Sequence, residues 1–208
     1  MNDEQLKVFI TQLDKDVIFE QNEMLTACVA SELLPDIITQ LKSSAQLRFT
    51  ILTDLFAADF PDQPARFQVV YNLLSLELNK RIILKLNLKE HQEAPSITKI
   101  FASANWYERE VFDMFGVVFA RHPNLNRILT DYGFVGHPLR KDFPLSGYVE
   151  VKYDETLEQV IYQPVNLPEE FREFDFVSPW RGQESCRQNS LPGDEKAAKN
   201  FSAPVPKA

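Results

Sequence analysis

Leu6, Phe9, Ile10 and Leu13 recur at helical spacing and predict a short amphipathic helix near the start of the chain. Val17–Phe19 and Leu25–Ala30 read as two strands around the polar turn Glu20–Glu23. Ser31 stands where an N-cap belongs, ahead of a helix carrying Leu34, Ile37, Ile38 and Leu41 with Pro35 in its first turn. Leu47–Phe56 predicts a further strand, and Phe60–Arg66, with Pro61 and Pro64, a loop. Phe67–Ser75 and Arg81–Leu88 form the clearest hairpin: Ile82, Leu84, Leu86 and Leu88 alternate with Ile83, Lys85 and Asn87. Pro95 and Ser96 open the next helical region, through Ile97, Ile100, Phe101 and Ala104. These elements predict an α+β fold, a two-layer domain with helices on a largely antiparallel (mixed) sheet.

Residues 105–144 break this simple alternation by packing charges among aromatics. Tyr107, Val111, Met114 and Val118 form one apolar helical stripe, and Phe112, Phe115 and Phe119 a second on another side. A helix apolar on two sides is largely enclosed, so Glu108, Arg109, Glu110 and Asp113 cannot all face open water. Unpaired burial costs several kcal/mol per charge, so each needs a partner. Arg109 and Asp113 stand at i and i+4 and can pair with each other. Glu108 and Glu110 are left to seek cations, and Arg121, Arg127, Arg140 and Lys141 follow. Asp142, between Lys141 and Phe143, reads as an ion-paired turn residue. The segment is either a self-pairing charged knot or a docking surface.

Beyond Gly116 the pattern becomes irregular: four of the six glycines lie between 116 and 147, with Pro123, Pro138 and Pro144 among them. Tyr148–Tyr153 alternates and predicts pairing with Gln159–Gln163 across Asp154–Leu157. Phe171, Phe174, Phe176 and Trp180 then stand between prolines, too aromatic for a disordered linker and too aperiodic for a core. Such a stretch is expected to lie against a surface. The predicted division is a domain over 1–144, an extended aromatic-rich C-terminal arm over 145–181, and a polar tail over 182–208.

Composition narrows the function. An apolar fraction of 44% and a charged fraction of 25% are those of a globular chain, and 208 residues suffice for a real core. A net charge of −8 gives no positive field for a nucleic-acid partner. No apolar run approaches the roughly 20 residues that span a bilayer. Met1-Asn2-Asp3-Glu4 has neither the basic n-region of a secretory signal nor the arginines of a presequence, so synthesis where the protein works is expected. Cys28 reads as a small buried hydrophobe and Cys186 lies in a polar tail; two distant cysteines cannot hold an iron–sulfur cluster or a cysteine-type zinc site.

No glycine-rich phosphate loop and no nucleophile elbow occurs. His91, His122 and His137 lack metal-ligand spacing, and hydrogen bonding is their expected role. Glu108 and Glu110 with His122 are the candidates for acid–base catalysis, but mutual neutralisation by the nearby cations accounts for them without a substrate. Tyr132, Gly133 and Gly136 read as a bend with close backbone approach rather than a ligand pocket.

The runs Glu108-Arg109-Glu110, Asp113, Gly116, His122-Pro123, Arg127-Ile128-Leu129, Asp131-Tyr132-Gly133 and Gly136-His137-Pro138-Leu139-Arg140-Lys141-Asp142-Phe143-Pro144 closely resemble one family's signature. It is the C subunit of the proton-pumping NADH:quinone oxidoreductase, respiratory complex I. The resemblance continues through Glu169-Glu170-Phe171-Arg172 and Phe174-Asp175-Phe176-Val177-Ser178-Pro179-Trp180, and is softer over residues 1–103. Leu191-Pro192-Gly193-Asp194-Glu195-Lys196 resembles the alphaproteobacterial and mitochondrial branch, with Gln183–Ser190 as an insertion.

The resemblance implies a non-catalytic scaffold in the peripheral arm, wrapping its C-terminal arm around the D subunit, with the B subunit and the NADH-dehydrogenase-module subunits as further partners. FMN and the iron–sulfur clusters that pass electrons from NADH to ubiquinone would belong to those partners, and this chain would hold no cofactor or metal. It implies the cytoplasmic side of a bacterial inner membrane, or the matrix side of a mitochondrial one. Glu108, Arg109, Glu110, Asp113, Arg127, Arg140, Lys141, Asp142, Phe174 and Trp180 would be structural or interfacial. An equivalent subunit of a membrane-bound hydrogenase or a ferredoxin-linked relative is the alternative.

Overall fold

Helices separate runs of strands in the computed structural model, which describes residues 3–20 and 24–166. In chain order these are α1 (Asp3–Leu13), β1 (Ile18–Glu20), β2 (Leu25–Cys28), α2 (Leu34–Ser43), β3 (Ile51–Asp59), β4 (Phe67–Ser75) and β5 (Lys80–Leu88). Then follow β6 (Ala94–Pro95), α3 (Ala104–Phe115), β7 (Phe119–Ala120), β8 (Val149–Asp154) and β9 (Gln159–Pro164). Five strands form one sheet in the order β1-β2-β5-β4-β3. All its pairings are antiparallel except β2 with β5, so the sheet is mixed and the fold is α+β.

The period-2 pattern of β5 places Ile82, Leu84, Leu86 and Leu88 inward, all buried. Register aligns Ala27, Leu84, Tyr71 and Leu55 in one row across four strands, and Leu25, Ile82, Leu73 and Leu52 in the next. A bulge between Leu52 and Asp54 lets both Leu52 and Leu55 point inward. Leu6 and Ile10 of α1, Leu34, Ile37, Ile38 and Leu41 of α2, and Ala104 and Val111 of α3 join the same core. Each of the larger side chains contributes about 1.5–3 kcal/mol on burial.

Four local expectations are corrected. Ser31 does not cap α2; Leu33 holds that place without a side-chain cap. The Ala30 carbonyl accepts from the N–H groups of Leu33 and Leu34, and the Ala30 N–H donates to Asp14, so a turn anchored by its own backbone precedes the helix. The strand predicted from Leu47 begins at Ile51, because Leu47 and Arg48 turn back onto the Ser44 carbonyl. Pro95 and Ser96 do not start a helix: the Ala94 and Ser96 N–H groups donate to Val118 and Ala120 carbonyls, making a parallel pair with β7. Val118 and Phe119 do not extend the stripes of α3, since Gly116 at φ +76° ends it.

Cys28 is half-buried on the opposite face of the sheet, where its thiol donates to Glu20, rather than a core hydrophobe. The predicted second hairpin forms as β8 paired with β9. It falls in the compact unit that runs to Val165. Phe174, Trp180 and Cys186 lie outside the described residues.

Candidate functional site

The end of α3 organises the irregular segment beyond it. Asp113 is fully buried and gathers five donors. Its Oδ2 accepts from the N–H groups of Ile128, Leu129 and Thr130 at 3.0, 2.7 and 3.0 Å. Its Oδ1 accepts from Thr130 Oγ1 at 2.6 Å and Arg127 Nη1 at 3.1 Å. Burial alone would raise this carboxyl, but the Thr130 hydroxyl and the three N–H groups bring it down to about 2. Asp113 is an anion held by backbone. Arg127 also reaches the Gly136 carbonyl at 2.9 Å, tying two parts of the loop together.

The same loop returns to close the C-terminus of α3. His137 Nδ1 meets the Asp113 carbonyl at 3.0 Å, the Leu139 N–H donates to Met114 O at 3.1 Å, and Arg140 Nε donates to Phe115 O at 2.6 Å. Three carbonyls that a helix end leaves without partners are satisfied this way, with a cation at the negative end of the helix dipole. Gly116 makes room for it: a Cβ there would lie 2.5 Å from both Arg140 and His137.

A second buried anion anchors residues 141–142. Asp59 accepts two bonds from Arg66, at 2.8 and 3.0 Å, and one from the Lys141 N–H at 2.8 Å. Arg66 also pairs with Asp142 at 2.9 Å. Arg66 and Arg140 both stack on Phe67, at 5.2 and 5.0 Å.

Glu108 behaves differently. It is fully buried and accepts the Ile97 N–H at 2.7 Å through Oε1, while Oε2 has no hydrogen-bond partner among the described residues. Burial pushes its carboxyl up to about 7 despite the Ile97 N–H and the Ser96 hydroxyl. His122 Nε2 stands 3.9 Å away.

These positions revise several expectations. Arg109 and Asp113 do not pair, because Arg109 donates to the Asn126 and Arg127 carbonyls and stacks on Trp106. Glu108 pairs with no arginine or lysine among the described residues. Glu110 is exposed and forms no ion pair among them, so it does not take up one of the cations that follow. Lys141 contributes its backbone rather than its charge. Glu108, Glu110 and His122 are not brought together as a set: Glu108 is buried 3.9 Å from His122, whereas Glu110 is exposed. Asp142 is ion-paired, with Arg66 rather than a sequence neighbour. Asp59, Glu90 (which pairs with Arg66 at 3.5 Å and Arg140 at 3.4 Å), Thr130 and the carbonyl-capping role of His137 lie beyond what spacing predicts. Asp59 offers one signal, an acidic residue at an otherwise buried strand position.

The loop so anchored turns apolar groups outward. Tyr132 is 101% accessible, Leu145 90% and Val135 84%. With Leu129, Phe134, Tyr148 and Tyr162 of β9, Tyr132 and Val135 line a groove of 1330 Å³. The Tyr162 hydroxyl donates to Asp131 at its edge. Gly136 shows the expected close approach, to Phe143, but Gly133 meets nothing within 4 Å, and both line the groove. Among the described residues no three His, Cys, Asp or Glu side chains are placed to hold a metal ion, and no helix is long and apolar enough to cross a membrane.

This α+β fold has a counterpart in a chain of the membrane-bound sulfane sulfur reductase, an archaeal respiratory membrane complex. The TM-score is 0.59 at 25% identity, over 68% of this chain and 85% of that one. The class is therefore a fold shared with a component of a respiratory membrane complex. Residues 27–149 match the family described as the respiratory-chain NADH dehydrogenase, 30 Kd subunit, and the chain belongs to it. It is similar to the NADH-quinone oxidoreductase C subunit of Rickettsia bellii, with 56% identity over 84% of this chain and 87% of that protein. The C subunit of Rhodobacter capsulatus is 52% identical over 83% and 84%, and that of Brucella abortus 48% over 94% and 96%. Relatives this similar favour the NADH-quinone oxidoreductase branch over the hydrogenase or ferredoxin-linked alternative.

Proposed function

We propose that this chain is a non-catalytic scaffold subunit of the peripheral arm of a proton-pumping NADH:quinone oxidoreductase. The observation that carries this reading is the contrast within residues 113–148. Asp113, Arg127 and Arg140 hold the loop to the fold, whereas Tyr132, Val135 and Leu145 point outward. Apolar groups fixed in place on an anchored loop suit a permanent partner. The D subunit is that partner in this reading, with the B subunit and the NADH-dehydrogenase-module subunits completing the surroundings. FMN and the iron–sulfur clusters reside in those partners, and the chain works on the cytoplasmic side of a bacterial inner membrane.

Affinity purification of the tagged full-length chain from its native membranes, with mass spectrometry of the co-purifying proteins, tests this. The D and B subunits are expected in stoichiometric yield, and the separated chain is expected to show no flavin or cluster absorbance and no NADH oxidation. A monomer that oxidises NADH would overturn the reading, as would recovery with hydrogenase subunits in place of these two.

A further inference from the structure

Two buried hydrogen-bonding atoms beside α3 have no hydrogen-bond partner among the described residues. Glu108 Oε2 and the Tyr71 hydroxyl are both fully buried, and they influence each other electrostatically. A carboxylate there would need a cation or a full set of donors, because a buried unpaired charge costs far more than a neutral acid. The groups that face it supply neither. From the turn after β6 come the Ile97 N–H and the Ser96 hydroxyl; from β4, Tyr71; from the segment after β7, His122. Arg109, on α3 itself, acts on His122 and directs its own guanidinium to the Asn126 and Arg127 carbonyls.

His122 cannot serve as the missing cation in this arrangement. Its Nδ1 accepts the Asn124 N–H at 3.1 Å, so its ring proton sits on Nε2, where it faces the Asn105 carbonyl at 3.3 Å. The ring is neutral. Its burial holds its own titration low, in the same direction.

We propose that Glu108, Tyr71 and His122 form a buried proton-binding site in which Glu108 is the neutral acid, its proton held on Oε2. The proton stabilises the packing of α3 against the Ile97 turn and β4, and its loss weakens that packing. The site thus couples the stability of the domain to pH on the acidic side of neutrality. Burial, which pushes Glu108 to about 7, sets where that coupling falls.

Infrared spectra of the full-length chain carrying ¹³C-labelled glutamate carboxyls, followed from about pH 5 to about pH 9, read the site directly. One neutral-acid carbonyl band is expected to outlast the exposed glutamates and to fade with a midpoint near 7. Glu108→Gln removes that band while keeping a neutral side chain of the same shape. Its urea midpoint should lose the fall that the parent chain shows as pH rises through the same range. Loss of every neutral-acid band in the range of free glutamate would overturn the proposal, as would a band that survives in the Gln variant. Tyr71→Phe supplies an independent reading should the Gln variant fold poorly. The band should persist but move in frequency and midpoint, and an unmoved band would remove Tyr71 from the site and overturn the proposal.

Discussion

Asp113 and Glu108 lie five residues apart on one helix, both fully buried, yet they occupy opposite states. Donors decide the difference. Asp113 has three N–H groups, a hydroxyl and a guanidinium; Glu108 has one N–H, one hydroxyl and an oxygen with no hydrogen-bond partner among the described residues. Asp113→Asn would present an NH₂ or a weaker acceptor to that ring of donors, and a loss of about 3 kcal/mol is expected. Urea unfolding at neutral pH measures it, and a loss under about 1 kcal/mol would show that the loop anchors itself without the charge. The pH dependences run oppositely. Asp113, brought down to about 2, contributes stability that is full above its ordinary value and lost as pH falls through 2. Glu108, raised to about 7, contributes stability that is full below its ordinary 4.5 and lost by pH 7, a change of about 3 kcal/mol. That these charges need partners is legible in the sequence; who the partners are is not. Spacing offers Arg109 for Asp113, but three consecutive loop N–H groups bind it instead, and backbone donors leave no mark in residue type.

Elements with a period are legible without their tertiary surroundings. The hairpin of β4 and β5, the later pair of β8 and β9, and the apolar stripes of α1 and α2 appear where alternation or helical spacing places them. Two-residue strands have no period, so the parallel pairing of β6 with β7 is invisible in the sequence, and Pro95 reads there as a helix start. Gly116 is legible as a break, but its role in receiving the cap depends on residues more than twenty positions away. Gly116→Ala tests that role. A positive φ alone costs about 1 kcal/mol for a residue with a Cβ, and the added carbon meets Arg140 and His137 at 2.5 Å. We expect destabilisation of about 1–3 kcal/mol. Faster hydrogen exchange at the Leu139 N–H, which bonds the Met114 carbonyl, would locate the damage at the cap. An unchanged Leu139 amide would mean that the loop holds its place independently of the helix end.

At the scale of the whole molecule, the ordinary relation of polar surface to apolar core is reversed in one region. The sheet and helices bury their apolar faces as composition leads one to expect. The loop from Leu129 to Tyr148, however, draws Asp113, Arg127 and Arg140 into its own construction and leaves Tyr132, Val135 and Leu145 outside. Net charge and apolar fraction cannot register such a reversal, because they average over it. In the proposed reading this surface is finished by the D subunit, so damage to it should spare the domain and stop assembly. Tyr132→Asp combined with Val135→Asp is the sharpest form of that test, since both side chains are exposed and neither supports the core. The stability of the isolated variant should stay within about 0.5 kcal/mol of the parent, as surface changes do. Native gels of membranes carrying it should lose the assembled complex, and NADH-dependent quinone reduction should fall with it. Val8→Asp, on the outer face of α1 and equally apolar before substitution, should leave both intact. Should the loop variant assemble normally, residues 129–148 are not the seat of the D subunit, and the exposed aromatics need another occupant; should Val8→Asp fail as well, assembly depends on the whole surface rather than on this groove.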